Sequence, residues 1–255
     1  MSTRFAGSDP SIIKSGEAAQ GKLKNALKKV LVCQRSSLST TISTLIENLL
    51  DPLEIPDNER VNFLLMVLWG SLINMQPTNF WLLLHIARHK DSQKDILAEM
   101  DLPDKRRAKT LAVVYEVLRL QSRPNMYRYA RETCTLKDGN NTVDVMKGQW
   151  VALYPRMMHM DKDIHENPTV FTPGRFLNQT MARKSPKEKE LLVFGQGRGT
   201  CPANDYTVLA LSTIITSMLA IMELKYEDTF PKSRQNTVAS TPPPDQDANI
   251  LIRLR

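Results

Sequence analysis

The sequence predicts a mainly α-helical protein with a small β portion. Apolar residues recur at spacings of three and four between residues 15 and 120, which is typical of helices that bury one face. Short alternating segments separated by turn residues follow Pro124 and predict strands. A long apolar stretch at residues 206–222 then predicts a final helix. Hydrophobic residues make up 42% of the 255 residues, which suits a chain that buries a core.

Helices are expected to account for the chain up to residue 120. Residues 1–15 are polar and are expected to form a flexible tail. Two helices are predicted over residues 15–50, with a break near residues 35–37, and a loop with two prolines follows. Asp57 can cap a long helix over residues 58–88, which is apolar nearly all round at residues 63–73 and should be central and buried. Pro77 lacks a backbone N–H and should kink this helix.

Shorter elements complete the chain. Helices are predicted over residues 91–100 and 105–120, and strands over residues 127–129, 134–136, 142–145 and 150–154. The Asp-Gly-Asn-Asn sequence of residues 138–141 is a hairpin turn signal. Residues 155–193 contain several prolines and are expected to be irregular. The last helix should end near Met222, and a final strand is expected over residues 250–254.

The number and placement of charged residues limit the classes of binding partner that are expected. The chain carries a formal charge of +7, from 34 Lys and Arg against 27 Asp and Glu. Its basic residues are not interleaved with aromatic ones, so no nucleic-acid partner is expected. Four lysines lie on one amphipathic helix, and three interpretations stay open for them: a solvated face, a docking face for an acidic protein, and a patch at a membrane surface. These lysines are Lys22, Lys24, Lys28 and Lys29.

The cysteines and the apolar segments of the chain indicate the cellular compartment that is expected. Cys33, Cys134 and Cys201 are widely separated, without the spacing of a disulfide framework or a metal finger, so a reducing compartment is expected. The polar N-terminus does not read as a signal peptide. The apolar run at residues 63–73 is too short to span a bilayer, and no transmembrane segment is expected.

The most informative segment is a glycine-punctuated loop that ends in a cysteine and leads into the apolar stretch. Backbone N–H groups can approach a sulfur closely in such a loop, and the next helix turns its positive end toward the same atom. Both effects stabilise a thiolate, so the cysteine is a candidate axial ligand to haem iron. The alternative is a small buried cysteine at a helix start. The segment reads Phe194-Gly195-Gln196-Gly197-Arg198-Gly199-Thr200-Cys201.

Two further polar features precede this loop. Glu116 and Arg119 lie three residues apart on one helix face, a spacing that usually marks a surface ion pair. Arg175 lies between aromatic residues in a segment without regular structure, where it could be a loop arginine stacked on phenylalanine.

Taken in order, these features resemble the cytochrome P-450 superfamily. The resemblance rests on Glu116-x-x-Arg119, then Pro173-x-Arg175-Phe176, then Phe194-x-x-Gly197-x-x-x-Cys201. It implies the C-terminal half of the cytochrome P-450 fold, with a long central helix and a haem-binding cysteine loop. It also implies haem b as the cofactor, with Cys201 as the axial thiolate and metal ligand. Glu116, Arg119 and Arg175 would form a structural lock, the name used below for these three residues, which holds the cysteine loop behind the haem.

The resemblance assigns further residues to the cofactor. Phe194, Gly195 and Gly197 would shape the loop, and Arg128 matches a position that commonly reaches a haem propionate. The alternative for Arg128 is an exposed strand arginine. Gly199 occupies a position that is usually basic in the family, and Arg198 beside it is the remaining candidate for a propionate contact.

Residues 69–81 resemble one branch of the family, which holds sterol 7α-hydroxylases, sterol 12α-hydroxylase and prostacyclin synthase, and residues 151–161 are closest to the 7α-hydroxylases. This implies a haem-dependent monooxygenase that hydroxylates a sterol or similar lipid, with Trp69, Asn74 and Met75 against the substrate. It further implies an NADPH-dependent flavoprotein reductase as electron donor and residence at the endoplasmic reticulum membrane, with peripheral membrane contact. Basic residues on the cysteine side would steer the reductase: Arg183, Lys184, Lys187 and Arg198.

Two departures from the family leave alternatives open. Most members carry an acid–alcohol pair for proton delivery, but Gln76 and Pro77 fall in that region here, so Asn74 and Gln76 are the catalytic candidates. A water held at the carbonyl that Pro77 leaves without a helical partner is the alternative to Asn74. An isomerase like prostacyclin synthase would need neither proton delivery nor a reductase. Family members are also much longer, so residues 16–255 are expected to form a partial haem-thiolate domain. A non-catalytic truncated form without the N-terminal half is the third interpretation.

Overall fold

The computed structural model describes residues 10–33, 40–103, 107–181, 191–234 and 240–255. The chain divides into two compact units, one up to Ile73 and the other from Asn74 to Arg255. The predicted class is confirmed, since the described residues form nine α-helices and three two-stranded sheets.

The first unit is helical. It contains α1 (Pro10–Cys33), α2 (Thr40–Leu45) with a π-helical turn directly after it (Ile46–Leu50), and α3 (Asp57–Ile73), and α1 packs against α3. Residues 10–15, which were predicted to belong to a flexible tail, lie in α1, while residues 1–9 and the predicted break at residues 35–37 fall outside the described residues. Pro56 rather than Asp57 occupies the cap position before α3, because its carbonyl accepts the first helical hydrogen bonds, from Glu59 and Arg60.

The expectation that α3 is buried nearly all round is wrong. Only Val61 and Leu64 of this helix are buried. The buried stripe of α3 is therefore narrow. Four large apolar residues elsewhere on the helix are exposed: Met66, Val67, Trp69 and Leu72.

The long helix predicted over residues 58–88 is two helices, α3 and α4 (Met75–Arg88). Pro77 has no N–H to donate to the carbonyl of Ile73, four residues earlier, so the series of helical backbone hydrogen bonds is interrupted at Ile73. The chain leaves the helix at Asn74, whose carbonyl accepts hydrogen bonds from both the backbone N–H (3.1 Å) and the Oγ1 (2.6 Å) of Thr78. The interruption therefore lies one helical turn before the proline rather than at it.

The core of the second unit lies among α4, α5 (Lys90–Ala98), α6 (Ala108–Gln121) and α9 (Asn204–Ile221). The predicted helices over residues 91–100 and 105–120 correspond to α5 and α6 and are confirmed. Helix α6 is buried on nearly every side, which explains its richness in alanine, leucine and valine. The largest apolar side chains of this core are Trp81, Leu82, Leu84, Ile86, Ile96, Leu211, Ile215, Leu219 and Leu224.

Three antiparallel sheets complete the second unit. Strand β1 (Met126–Tyr129) pairs with β4 (Trp150–Leu153), β2 (Cys134–Asp138) with β3 (Asn141–Val145), and β5 (Met222–Lys225) with β6 (Leu251–Leu254). The predicted hairpin is confirmed: Asp138 pairs with Asn141, and Gly139 between them has φ +56°. The four strands predicted between residues 127 and 154 and the final strand are also confirmed, whereas β5 was not predicted.

Residues 155–193 are more regular than predicted. They contain α7 (Pro155–His159) and α8 (Gly174–Met181), while residues 182–190 are outside the described part. Pro155 occupies the first turn of α7, where its missing N–H has no helical partner to lose and its fixed φ suits a helix. Pro155 therefore starts a helix, although the prolines of this segment predict an irregular chain.

Among the described residues, α9 is the one helix that is long and apolar enough to cross a membrane, by length and composition alone. A core helix passes the same test. Several of its residues lie in the core of the second unit: Val208, Leu211, Ile215 and Leu219.

Candidate functional site

The loop that precedes α9 is closed by its own backbone. The N–H of Cys201 donates to the carbonyl of Phe194 at 2.7 Å. Inside this closure, residues Gly197–Gly199 form one 3₁₀ turn, and the N–H and Oγ1 of Thr200 both donate to the carbonyl of Gly197, at 3.1 and 2.8 Å. The loop is therefore a fixed backbone structure that ends at the cysteine.

Two glycines make this closure possible. Gly195 and Gly197 have φ of +74° and +66°, in the left-handed region that L side chains rarely adopt. At Gly195 a Cβ would also lie 3.0 Å from the carbonyl oxygen of Gly199, whereas a Cβ at Gly197 would meet open space. The spacing of glycines in the sequence thus reflects both a backbone conformation and, at Gly195, a close approach.

Cys201 presents a free, partly exposed thiol three residues before α9 begins. The N–H of Asn204, the first residue of α9, donates to the Cys201 carbonyl at 3.4 Å, so the loop runs directly into the positive end of the helix. A sulfur in this position has the donor chemistry that iron accepts. No group of three or more His, Cys, Asp or Glu that could hold a metal ion occurs among the described residues.

The residues of the lock lie together, with Glu116 and Arg119 on α6 and Arg175 on α8. Arg119 donates to Glu116 through two parallel hydrogen bonds, from Nε to Oε2 and from Nη2 to Oε1, both 2.9 Å long. The Nε of Arg175 lies 3.1 Å from each carboxylate oxygen. The side chains of Glu116 and Arg119 are 0% exposed, so a surface ion pair is the wrong interpretation of their spacing.

Backbone groups complete the surroundings of the lock. The N–H of Thr172 donates to Oε1 of Glu116 at 2.8 Å, and Nη1 of Arg119 donates to the carbonyls of His159 (2.6 Å) and Pro168 (2.8 Å). A buried guanidinium and carboxylate are stable only when such partners replace the lost water. The lock therefore holds α6, the end of α7 and the segment before α8 in one arrangement.

His159 connects the lock to the segment that leads into the cysteine loop. Its carbonyl accepts from Arg119, and its Nε2 accepts the backbone N–H of Leu192 at 3.0 Å. Leu192 lies two residues before Phe194, whose carbonyl closes the loop. Sequence reasoning missed His159, because a histidine in a segment read as irregular carries no periodic signal.

Burial fixes the protonation state of His159. Desolvation lowers the pKa of His159 to about 3, and the positive charges of His165, Arg119 and Arg156 add to the effect. The ring is thus neutral at physiological pH, with Nε2 free to accept from Leu192 and the proton on Nδ1, which has no hydrogen-bond partner.

Two candidate arginines flank the loop. Arg128, on β1, donates from Nη2 to the carbonyl of Gln196 at 3.1 Å, so this exposed strand residue touches the loop. Arg198 is exposed on the 3₁₀ turn itself. The described loop therefore has guanidinium groups at its edge, which suit a ligand with carboxylate groups.

The candidates at the start of α4 are in different surroundings. The Asn74 Oδ1 accepts the backbone N–H of Thr241 at 3.3 Å, Met75 packs against the core of the second unit, and Gln76 is exposed. No hydrogen bond links these three to the cysteine loop within the described ranges. Trp69 lies on α3, in the first unit, and is 59% exposed.

The family model and the relatives found by comparison with known proteins belong to the same family. The family model of Cytochrome P450 matches residues 8–248. The human 7-alpha-hydroxycholest-4-en-3-one 12-alpha-hydroxylase is 29% identical over 238 residues, which cover 82% of this chain and 48% of the relative. The Cytochrome P450 7A1 of Sus scrofa is 23% identical over 282 residues, which cover 98% of this chain and 56% of the relative.

A solved structure agrees in fold. A crystal structure of a cytochrome P450 (CYP102L1) superimposes with a TM-score of 0.75 and 17% identity, over 98% of this chain and 59% of that one. The chain thus spans about half the length of the relatives that it matches.

Proposed function

The chain belongs to the cytochrome P450 family, and on this premise we propose that it forms the haem-thiolate part of a monooxygenase that hydroxylates a sterol or a similar lipid. One observation carries the proposal: a free cysteine ends a loop whose glycines adopt left-handed conformations, and hydrogen bonds of His159 link a buried lock to the segment that enters this loop. A partly exposed cysteine with no ligand would need neither feature.

The residues around the loop fit haem b. Cys201 supplies the sulfur donor, and the close approach of Gly195 to Gly199 leaves no room for a side chain on that side of the loop. In this proposal Cys201 binds the iron, Phe194, Gly195 and Gly197 shape the wall beside the ring, and Arg128 and Arg198 pair with the propionates. Haem, when bound through a thiolate, supplies the oxidising chemistry.

The rest of the chain would keep the sulfur in position. The lock fixes α6 relative to the end of α7 and the segment before α8, and His159 carries that constraint to Leu192. Because a thiolate bond to iron requires the sulfur at one distance and direction, a rigid support is more useful here than a mobile loop.

The substrate class comes from the relatives. The names of the human and porcine relatives describe a sterol 12-alpha-hydroxylase and a Cytochrome P450 7A1, and this supports a sterol or similar lipid for the present chain. We assign Asn74 and Met75 to the substrate side, and Asn74 and Gln76 to proton delivery. The bond from Thr241 to Asn74 Oδ1 leaves the Asn74 amide N–H groups as the available donors.

Electrons would come from an NADPH-dependent flavoprotein reductase, with the exposed Arg198 as part of a basic docking face. Arg183, Lys184 and Lys187, the other residues expected on that face, lie outside the described residues. The family resemblance supports residence at the endoplasmic reticulum membrane.

The proposed monooxygenase activity is tested by measuring the turnover of a sterol. The purified chain, loaded with haem, is incubated with a microsomal reductase, NADPH and a sterol, and products are identified by mass spectrometry. The proposal predicts a product heavier by one oxygen atom, lost in Cys201→Ser and kept in Cys134→Ser, which changes an exposed cysteine on β2. Equal product from both variants, or none from the wild-type chain with bound haem, would contradict it.

A second candidate, a haem-thiolate isomerase, is favoured by the start of α4. Neither Asn74 nor Gln76 is an acid, and the Asn74 oxygen is already hydrogen-bonded. An isomerase rearranges its substrate without external electrons. A product of unchanged mass that forms without NADPH and reductase would select this candidate over the hydroxylase.

A further inference from the structure

A cleft in the second unit is lined by two arginines and, among the described residues that line it, by no acidic side chain. The cleft has a volume of about 450 Å³ and lies at the last turns of α4 and α6, beside α7 and the segments around residues 169–171 and 230–233. The arginines are Arg88 and Arg156, and His89 also lines the cleft. This cleft is separate from the cysteine loop, none of whose residues lines it.

Arg156 is the inner cation of the cleft. Its Nη1 donates to the carbonyl of Leu120 in the last turn of α6, and within the described ranges no carboxylate pairs with it. Burial, with the nearby charges of Arg123 and Arg119, lowers the pKa of Arg156 to about 10, so the group remains charged at neutral pH. A partly buried guanidinium without a counter-ion is costly, and a bound anion would remove that cost.

Arg88 is the outer cation. Its Nη1 donates to the backbone carbonyl of Asp228 at 3.3 Å, and its guanidinium lies 5.8 Å from the centre of the Phe230 ring. A carbonyl and an aromatic face hold this side chain at the cleft without neutralising it. Its remaining N–H donors are available to a ligand.

Aromatic rings line the same cleft as the two arginines. The rings of His85 and Phe171 stack with centroids 4.7 Å apart, His89 lies 4.5 Å from Phe171, and Phe230 lies 4.7 Å from His85. His85 is 6% exposed, and its Nδ1 has no hydrogen-bond partner. Such a surface accepts a flat ring by stacking, and it contains an unmet hydrogen-bonding atom.

We propose that this cleft binds a small organic anion that carries a flat ring. Its phosphate or carboxylate group pairs with Arg88 and Arg156, and its ring lies against the wall of Phe171 and Phe230. The proposal does not depend on haem binding or on turnover.

The test is isothermal titration calorimetry of the full chain with phenyl phosphate, benzoate and inorganic phosphate. Binding of phenyl phosphate or benzoate is expected, and the tighter of the two identifies the charged group. Inorganic phosphate should bind about tenfold more weakly than phenyl phosphate, because it lacks the ring. Absence of binding by both ring-bearing probes, or equal affinity for inorganic and phenyl phosphate, would overturn the proposal.

Variants of the two arginines test whether the anion binds in this cleft. Arg88→Gln and Arg156→Gln should each weaken binding roughly tenfold, the loss of one charge-assisted hydrogen bond. Arg253→Gln, which removes an exposed arginine on β6, is the matched control and should bind as the wild-type chain does. If Arg156→Gln fails to fold, Arg88→Gln alone decides, since that side chain is exposed. Unchanged affinity in Arg88→Gln, or an equal loss in Arg253→Gln, would contradict the assignment.

Discussion

The Nε2 atom of His159 accepts the backbone N–H of Leu192 at 3.0 Å, across 33 residues of sequence. The same histidine receives a hydrogen bond from Arg119 on its carbonyl. A continuous set of hydrogen bonds therefore runs from the Glu116 carboxylate to the segment that enters the cysteine loop. This connection makes the stability of the loop depend on groups that do not touch it.

Replacement of His159 by leucine should destabilise the chain. Leucine leaves the buried Leu192 N–H without an acceptor, which costs about 1–3 kcal/mol of unfolding free energy. His159→Gln, whose Oε1 can accept the same N–H, should recover part of the loss. Urea denaturation measures both variants, and hydrogen exchange at Leu192 should accelerate in the leucine variant. Equal unfolding free energies for leucine and glutamine would show that the hydrogen bond contributes nothing.

Acid should destabilise the chain through two histidines. Burial, the largest cause for each, lowers the pKa values of His85 and His159 from 6.5 to about 3. Between these values the unfolded chain binds a proton that the folded chain excludes, so the free energy of unfolding falls as pH decreases from about 6.5 toward 3. Each histidine contributes a slope of about 1.4 kcal/mol per pH unit.

Urea titrations at several pH values, followed by tryptophan fluorescence, measure this slope. His159→Gln should reduce it, because one of the two titrating groups is gone. A free energy of unfolding that is flat between pH 6.5 and 4, or an undiminished slope in the variant, would contradict the buried neutral state.

Alanine at Gly195 should open the cysteine loop. The new Cβ would lie 3.0 Å from the Gly199 carbonyl oxygen in a backbone with φ +74°, so both strain and a clash oppose it. Gly197→Ala is the matched control, because its φ of +66° costs about 1–2 kcal/mol but its Cβ meets open space. Denaturation should therefore rank Gly195→Ala as the less stable variant, and the reverse order would show that the loop adopts another conformation.

Removal of the Glu116 charge should be among the most damaging single changes in the chain. Glu116→Gln leaves the guanidinium of Arg119, which is 0% exposed, without its counter-ion, at a cost of about 3–5 kcal/mol. Lys94→Gln breaks an exposed pair with Asp91 of the same helical spacing and should change stability by less than about 1 kcal/mol. Similar losses in the two variants would mean that the lock is not buried in solution.

Local chemistry explains which parts of this fold the sequence could predict. The hairpin at Gly139 and the interruption near Pro77 follow from one residue each, and the helices of the core follow from apolar spacing. The motif residues Glu116, Arg119 and Arg175 could be named from their order along the chain, although the three-residue spacing of the first two suggests a surface ion pair.

Long-range contacts explain what the sequence could not predict. The pairing of His159 with Leu192 and of Asn74 with Thr241 joins residues far apart, without a periodic pattern. Strand β5 continues directly from α9 and exists because β6 pairs with it, which composition does not reveal. The exposed face of α3 is as apolar as a buried helix face, so the apolar pattern alone predicts burial where the structure has exposed side chains.

The central claim is that the sulfur of Cys201 binds haem iron, and the most direct measurement is the absorption spectrum of the reduced, carbon-monoxide-bound chain. The account predicts the red-shifted Soret band of a thiolate-ligated haem in the wild-type chain and in Cys134→Ser, and its loss in Cys201→Ser. A band that survives in Cys201→Ser, or that is absent from a folded wild-type chain supplied with haem, would contradict the account.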